Sequence, residues 1–170
     1  SVLASFFAFE SSFTGGVQTA VADVNNDGIS DLIVGAGPGG GPRVIVYNGA
    51  TNFTTQLFDF FAFSTSFTGG VDVAGGDFNA DGFADIVVGA PWAAPGGDEI
   101  GGEAYVVFGK TDTAAIDLED VAKGNGGFEI INIPGSELGL TLAGGGDING
   151  DGFDDLIIGA AYADTNGVDS

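Results

Sequence analysis

Three copies of one nine-residue acidic loop constrain what this chain can fold into more than any other feature. They read Asp23-Val24-Asn25-Asn26-Asp27-Gly28-Ile29-Ser30-Asp31, Asp77-Phe78-Asn79-Ala80-Asp81-Gly82-Phe83-Ala84-Asp85 and Asp147-Ile148-Asn149-Gly150-Asp151-Gly152-Phe153-Asp154-Asp155. Each has the form D-x-N-x-D-G-x-x-D and runs straight into a short apolar segment, LIVGA, IVVGA or LIIGA. An Asp-Gly step between apolar runs is by itself a hairpin signal. A bare turn, however, has no use for four oxygen-bearing side chains at positions 1, 3, 5 and 9, and all three copies keep them.

The pattern fits a hard cation. Calcium takes about six to eight oxygen ligands, and a tight loop turns alternate side chains toward one centre. Three Ca2+ sites are expected. Their ligands would be Asp23, Asn25, Asp27 and Asp31 with the Ile29 carbonyl; Asp77, Asn79, Asp81 and Asp85 with the Phe83 carbonyl; and Asp147, Asn149, Asp151 and Asp155 with the Phe153 carbonyl. Glycine at position 6 tolerates the positive φ that such a turn needs. Magnesium demands a smaller, stricter octahedron, while zinc and copper sites recruit His or Cys, both absent here. A helix-loop-helix calcium hand would need Glu at position 12, where this chain has Val34, Val88 and Ile158, and helical flanks where it has β-branched runs ending in Gly.

The loops sit inside a longer repeat. Phe6-Phe7-Ala8-Phe9-Glu10-Ser11-Ser12-Phe13-Thr14-Gly15-Gly16-Val17 returns 54 residues later as Phe60-Phe61-Ala62-Phe63-Ser64-Thr65-Ser66-Phe67-Thr68-Gly69-Gly70-Val71. The loops also move by 54 residues, then by 70, so the second unit carries 16 extra residues, placed between Pro91 and Gly127. Within a unit, one strand approaches the loop (17–22, 71–75, 140–143) and a second leaves it (31–36, 85–90, 155–160). A third (43–47, 103–108) and a fourth (55–60, 128–133) follow, with 3–9 a further fourth strand and 114–122 a short surface helix. Four-stranded units separated by Gly-rich turns predict an all-β fold of antiparallel four-stranded blades of a β-propeller, its ring incomplete in this chain. On this reading 1–9 is the last strand of a preceding blade, 17–60 is a blade, 71–133 is a blade with its insertion at 91–127, and 139–160 is the first half of another. The repeated phenylalanines are expected to fill the layers between blades, and Trp92 and Tyr162, on equivalent turns, are the candidates for an aromatic ligand platform.

Phe-x-Gly-Gly-Val before the loop, and Val34-Gly35-Ala36-Gly37-Pro38, Val88-Gly89-Ala90-Pro91 or Ile158-Gly159-Ala160-Ala161 after it, resemble the FG-GAP repeats of integrin α-chain propellers and of many bacterial surface proteins. The resemblance covers essentially the whole chain and implies a calcium-binding propeller whose ligands are the Asp, Asn, Asp and Asp residues named above, with a backbone carbonyl. The GAP element is loosened in two of the three copies.

Composition narrows the function classes. The formal charge is −21 with only three basic residues, so phosphate neutralisation and nucleic-acid binding are excluded as a main role. Apolar runs fall far short of the roughly 20 residues that span a bilayer, and Ser1 in place of Met reads as a processed or excised start. Neither His nor Cys is present, the carboxylates are largely committed to the loops, and Ser11, Ser12, Ser64 and Ser66 have no evident base, so the chain is not expected to be an enzyme. Gly35-Ala36-Gly37-Pro38-Gly39-Gly40 matches a dinucleotide fingerprint formally, but Pro38, Pro42 and a strand follow where a helix is required. Asn52-Phe53-Thr54 is a formal glycosylation acceptor. Loops of this kind fill where calcium is abundant, which points to an extracellular or cell-surface location.

The function expected is an extracellular calcium-binding structural module that self-assembles, or packs with further blades of a larger chain, into a ring or filament. A ligand-binding adhesion module with a protein or glycan partner is the alternative, and an accessory domain of a secreted enzyme the third.

Overall fold

The computed structural model describes residues 4–94, 101–130 and 135–163. Its strands are β1 (Val17–Ala22), β2 (Asp31–Ala36), β3 (Arg43–Tyr47), β4 (Gln56–Phe61), β5 (Asp72–Gly76), β6 (Asp85–Ala90), β7 (Glu103–Val107), β8 (Gly127–Ile130), β9 (Leu138–Gly144) and β10 (Leu156–Ala160), with a short α-helix, α1 (Leu118–Ala122), and a 3-10 turn at Gly49–Thr51. They form two four-stranded antiparallel sheets, β1-β2-β3-β4 and β5-β6-β7-β8, and a two-stranded hairpin, β9-β10. These are two propeller blades and the first hairpin of a third.

The second strand of each blade explains why the apolar runs do not alternate. In β2 and β6 nearly every side chain is buried, because each strand lies mid-sheet and both faces of the blade are covered by neighbours. One face of blade 1, carrying Ile33, Val44, Val46, Phe58 and Phe60, meets Val73, Ile86, Val88, Tyr105 and Val107 of blade 2. The other face of blade 2, carrying Ala74, Val87 and Val106, takes Leu142 and Leu156 of the third hairpin. Each such side chain contributes about 1.5–3 kcal/mol when fully buried.

The innermost strands pack backbone to backbone, which glycine permits. A Cβ on Gly144 would run into the Gly75 carbonyl oxygen, and one on Gly75 would stand 2.8 Å from the Ala22 Cβ. Gly144→Ala is therefore expected to destabilise the seam by about 1–3 kcal/mol, since backbone cannot yield as a side chain does. Hydrogen exchange should quicken at Leu142 and Ile158 while β2 is unchanged.

Residues 4–9, expected with Leu3, which lies outside the described residues, to be the last strand of a preceding blade, have no such blade beside them in this chain. They pair with no strand and form none. They cross blade 1 as a strap instead: Ala8 and Phe9 pack on Val34, Ile45 and Tyr47, the Tyr47 hydroxyl donates to the Ala8 carbonyl at 2.6 Å, and Phe6 meets the Tyr47 ring at 5.0 Å. Phe63 lies against Tyr105 in the next blade at the matching position, so the strap repeats the packing of a blade exit without its pairing. Phe58, Phe60, Phe63 and Phe67 fill the layer between blades, whereas Phe7 is 75% exposed. Helix α1 starts later than position 114 because Asp117 caps it, accepting from the Glu119 N–H at 2.9 Å. The fourth strand of blade 2 is observed to Ile130; its expected end, 131–133, lies outside the described residues.

Candidate metal centre

All three loops connect the first and second strands of their units and close by one hydrogen-bond pattern. The carboxylate at position 1 accepts from the amides of positions 5 and 6: Asp23 from Asp27 and Gly28 at 3.0 and 2.7 Å, Asp77 from Asp81 and Gly82 at 3.1 and 2.9 Å, Asp147 from Asp151 and Gly152 at 3.0 and 2.9 Å. The position 3 side chain (Asn25, Asn79, Asn149) accepts from the same position 5 amide. Position 5 (Asp27, Asp81, Asp151) accepts from the amide of Ile29, Phe83 or Phe153. Position 6 glycine has φ of 85°, 91° and 93°, the left-handed region the turn requires.

Positions 1, 3 and 5 are thus brought together in every loop. Position 9 behaves differently. Asp31 and Asp85 are fully buried. Asp31 accepts from Val24 and Gly49 at 3.0 and 2.9 Å, and Asp85 from Phe78 and Gly109 at 3.0 and 2.9 Å, so each ties its loop to the chain beyond the third strand. Among the described residues Asp155 accepts only within its own loop, from Ile148 and Asn149. Among the described residues no three carboxylates form a ready cation cluster.

Electrostatics follow this division. Burial pushes the Asp85 carboxyl up to about 6 against the pull of its two amide bonds, and the charges of Asp81 and Asp77 add to the rise. Asp31 is raised for the same reasons, with Asp27 and Asp23 as its charged neighbours. Exposed Asp147 is lowered, chiefly by the Gly152 N–H. The chain's three basic side chains are engaged elsewhere: Arg43 with Glu10 and Asp59, Lys110 with Asp112, Lys123 with Asp120. The loop carboxylates keep unused lone pairs and have no protein cation beside them. An oxygen-only, anionic donor set of this kind fits calcium.

The loops are also linked to one another. The position 8 amides of the second and third loops donate to the position 1 carbonyl of the loop before, Ala84 to Asp23 at 2.9 Å and Asp154 to Asp77 at 3.0 Å. The Asp154 carboxylate returns a bond from the Asp77 N–H at 2.9 Å. Asp72, half-buried, accepts from Leu142 of the next unit. The motif gave no sign of Asp154 or Asp72, because neither occupies a ligand position; the Asp at position 8, unique to the third copy, was the available signal.

Trp92 and Tyr162 are not brought together. Trp92, 45% exposed, lines a hollow of about 180 Å³ with Pro38, Gly70, Asp72 and Leu140, and Tyr162 lies outside it. The Gly35–Gly40 stretch is a strand end and a turn leading into β3, with no helix.

Propeller blades with an acidic loop in the first hairpin of each unit define the class. An FG-GAP-like repeat model matches residues 11–88 and an FG-GAP repeat model residues 138–170, and the chain belongs to the FG-GAP repeat family. It is 31% identical to integrin alpha-8 of Gallus gallus over 92% of this chain, and 30% identical to integrin alpha-V of Gallus gallus over 91%. With integrin alpha-3 of Cricetulus griseus it shares 34% identity over 85% of its residues. It spans only 14–16% of the length of these relatives. No helix among the described residues is long and apolar enough to cross a membrane.

Proposed function

We propose that the chain is part of an extracellular adhesion propeller whose blades are fastened by one calcium ion in each D-x-N-x-D-G-x-x-D loop. The observation that carries this reading is the common hydrogen-bond pattern of the three loops, which gathers positions 1, 3 and 5 while every basic side chain of the protein is engaged elsewhere. Asp23, Asn25, Asp27 and Asp31, with their counterparts in the other loops, would hold the ion. Bound calcium would neutralise clustered carboxylates and contribute folding energy directly. The integrin alpha relatives favour adhesion, with a protein or glycan ligand, over a purely self-assembling role. The uncovered face of the third hairpin, where Ile157 is 52% exposed, is suited to a further blade of a longer chain or another copy of this one.

Calorimetric titration with calcium tests the reading. Three equivalents are expected to bind, and Asp27→Ala, Asp81→Ala and Asp151→Ala should each remove about one, since each deletes one carboxylate ligand. Absence of binding in the unmodified chain would sink the calcium assignment. Light scattering in calcium separates the packing modes: a mass that grows with concentration means contacts between copies, a constant monomer means blades of a longer chain.

A further inference from the structure

An asparagine followed by glycine readily loses its side-chain amide, because a residue without a Cβ lets its backbone nitrogen reach the asparagine Cγ. The chain holds four such steps, Asn48-Gly49, Asn125-Gly126, Asn149-Gly150 and Asn166-Gly167, the last outside the described residues. The fold treats the other three differently. Asn48-Gly49 is half-buried and held: the Gly49 N–H donates to buried Asp31 at 2.9 Å, and Asn48 Oδ1 is shut away from solvent. Asn125-Gly126 is exposed in the turn between α1 and β8 and belongs to no acidic loop. Asn149-Gly150 is exposed at positions 3 and 4 of the third loop.

At that last step the reacting groups are folded together. Asn149 Oδ1 accepts from the Asp151 N–H at 2.9 Å, a turn that bends the side chain back along its own backbone toward the Gly150 nitrogen. Gly150 has φ of 80° and open space where a Cβ would stand, and its N–H donates to Asp147 Oδ1 at 2.6 Å. The amide nitrogen that would leave, Asn149 Nδ2, donates to Asp155 at the long distance of 3.4 Å. Loops 1 and 2 make the same turn but carry Asn26 and Ala80 at position 4, whose side chains obstruct the approach, and each is anchored by a buried position 9 carboxylate.

We propose that Asn149-Gly150 is a self-modification site through which the third loop, once free of its ion, loses its position 3 amide. The Gly150 nitrogen, its proton passing to water, bonds to Asn149 Cγ as the Cγ–Nδ2 bond breaks and ammonia leaves. Both groups belong to one small loop, so the step is intramolecular. Water then opens the five-membered imide at either carbonyl and gives aspartate or isoaspartate; one water is consumed, one ammonia is released and nothing is oxidised. Isoaspartate adds a methylene to the main chain between positions 3 and 4, which shifts the Asp151 and Gly152 amides away from Asp147 and spoils the loop. That calcium holds the reaction off rests on the calcium sites proposed above. An ion bound to Asp147 and to Asn149 Oδ1 would stop the side-chain rotation that ring closure needs, and the third loop would record the time spent without calcium.

The test is peptide mapping by mass spectrometry of the full chain aged in calcium or in chelator, with isoaspartate read by enzymatic methylation and Asn125 as the internal clock. With calcium at about ten times its Kd or more, Asn149 is expected to convert at least about tenfold more slowly than in chelator, since only the ion-free fraction reacts. Asn125 should convert equally in both media, and Asn48 should stay intact. Gly150→Ala and Gly150→Asn, which give the third loop what loops 2 and 1 carry, should each slow Asn149 in chelator to the rates of Asn79 and Asn25. Conversion of Asn125 without Asn149 in chelator, or an Asn149 rate unchanged by both Gly150 variants, would overturn the site. Full calcium uptake by calorimetry with equal Asn149 rates in the two media would overturn the protection by calcium. A chain that takes up no calcium yet converts Asn149 would refute the metal reading and leave the self-modification standing.

Discussion

Asp85→Ala is expected to cost about 3 kcal/mol even with all calcium chelated, because two buried amides would lose their acceptor at once. Asp85 has no exposed surface, and its two oxygens receive the Phe78 and Gly109 N–H groups. Each buried donor left without a partner costs about 1–3 kcal/mol, and the vacated volume adds to that. For a chain of this size the melting temperature should fall by about 6–12 °C. Asp155→Ala should cost less than about 1 kcal/mol under the same conditions, since its loop is exposed and water replaces the carboxylate. Asp85→Asn should fall between them, keeping one acceptor and turning a donor toward the other amide. Equal losses at Asp85 and Asp155 in chelator would mean that position 9 serves the metal alone.

That difference was not legible in the sequence, where Asp31, Asp85 and Asp155 are the same letter at the same place in the same motif. Spacing tells which residues share a loop, but whether position 9 turns inward depends on a distant amide being there to meet it. Gly49 and Gly109 supply that amide after the third strands of blades 1 and 2. The strands themselves were legible nearly to the residue. An acidic loop precedes and a Pro-bearing turn follows β2 and β6, and β3 runs from Gly41-Pro42 to Asn48-Gly49, so local turn chemistry fixes these ends. The segment 4–9 is a different case: its phenylalanines suit a strand, but a strand exists only with a partner to pair with, and none lies beside it among the described residues.

On the proposed calcium sites, removing the metal is expected to produce the largest response of all, and to produce it unevenly. Hairpin β9–β10 should open first, its amides exchanging at least about a hundredfold faster than in the loaded protein, while β2, β3, β6 and β7 stay protected. Three features set this order. Among the described residues Asp155 closes only on its own loop, whereas Asp31 and Asp85 hold amides beyond theirs. Among the described residues β10 pairs with β9 alone, so its outer edge has no strand to lend it stability. The Asp147 carboxylate, held low by the Gly152 amide and others of its loop, stays charged and uncompensated once the ion leaves. The opening should then spread in one direction. Asp154 is tied to both the N–H and the carbonyl of Asp77, so release of the third hairpin leaves the second loop without two of its bonds. Loop 2 is therefore expected to loosen next, and loop 1, joined to it by the single bond from Ala84 to Asp23, last. Hydrogen exchange by mass spectrometry at graded calcium activity reads this sequence directly. Simultaneous opening of all three loops would show that the ions fasten the blades as one unit, and opening that began at loop 1 would contradict the order derived from Asp154 and Asp155.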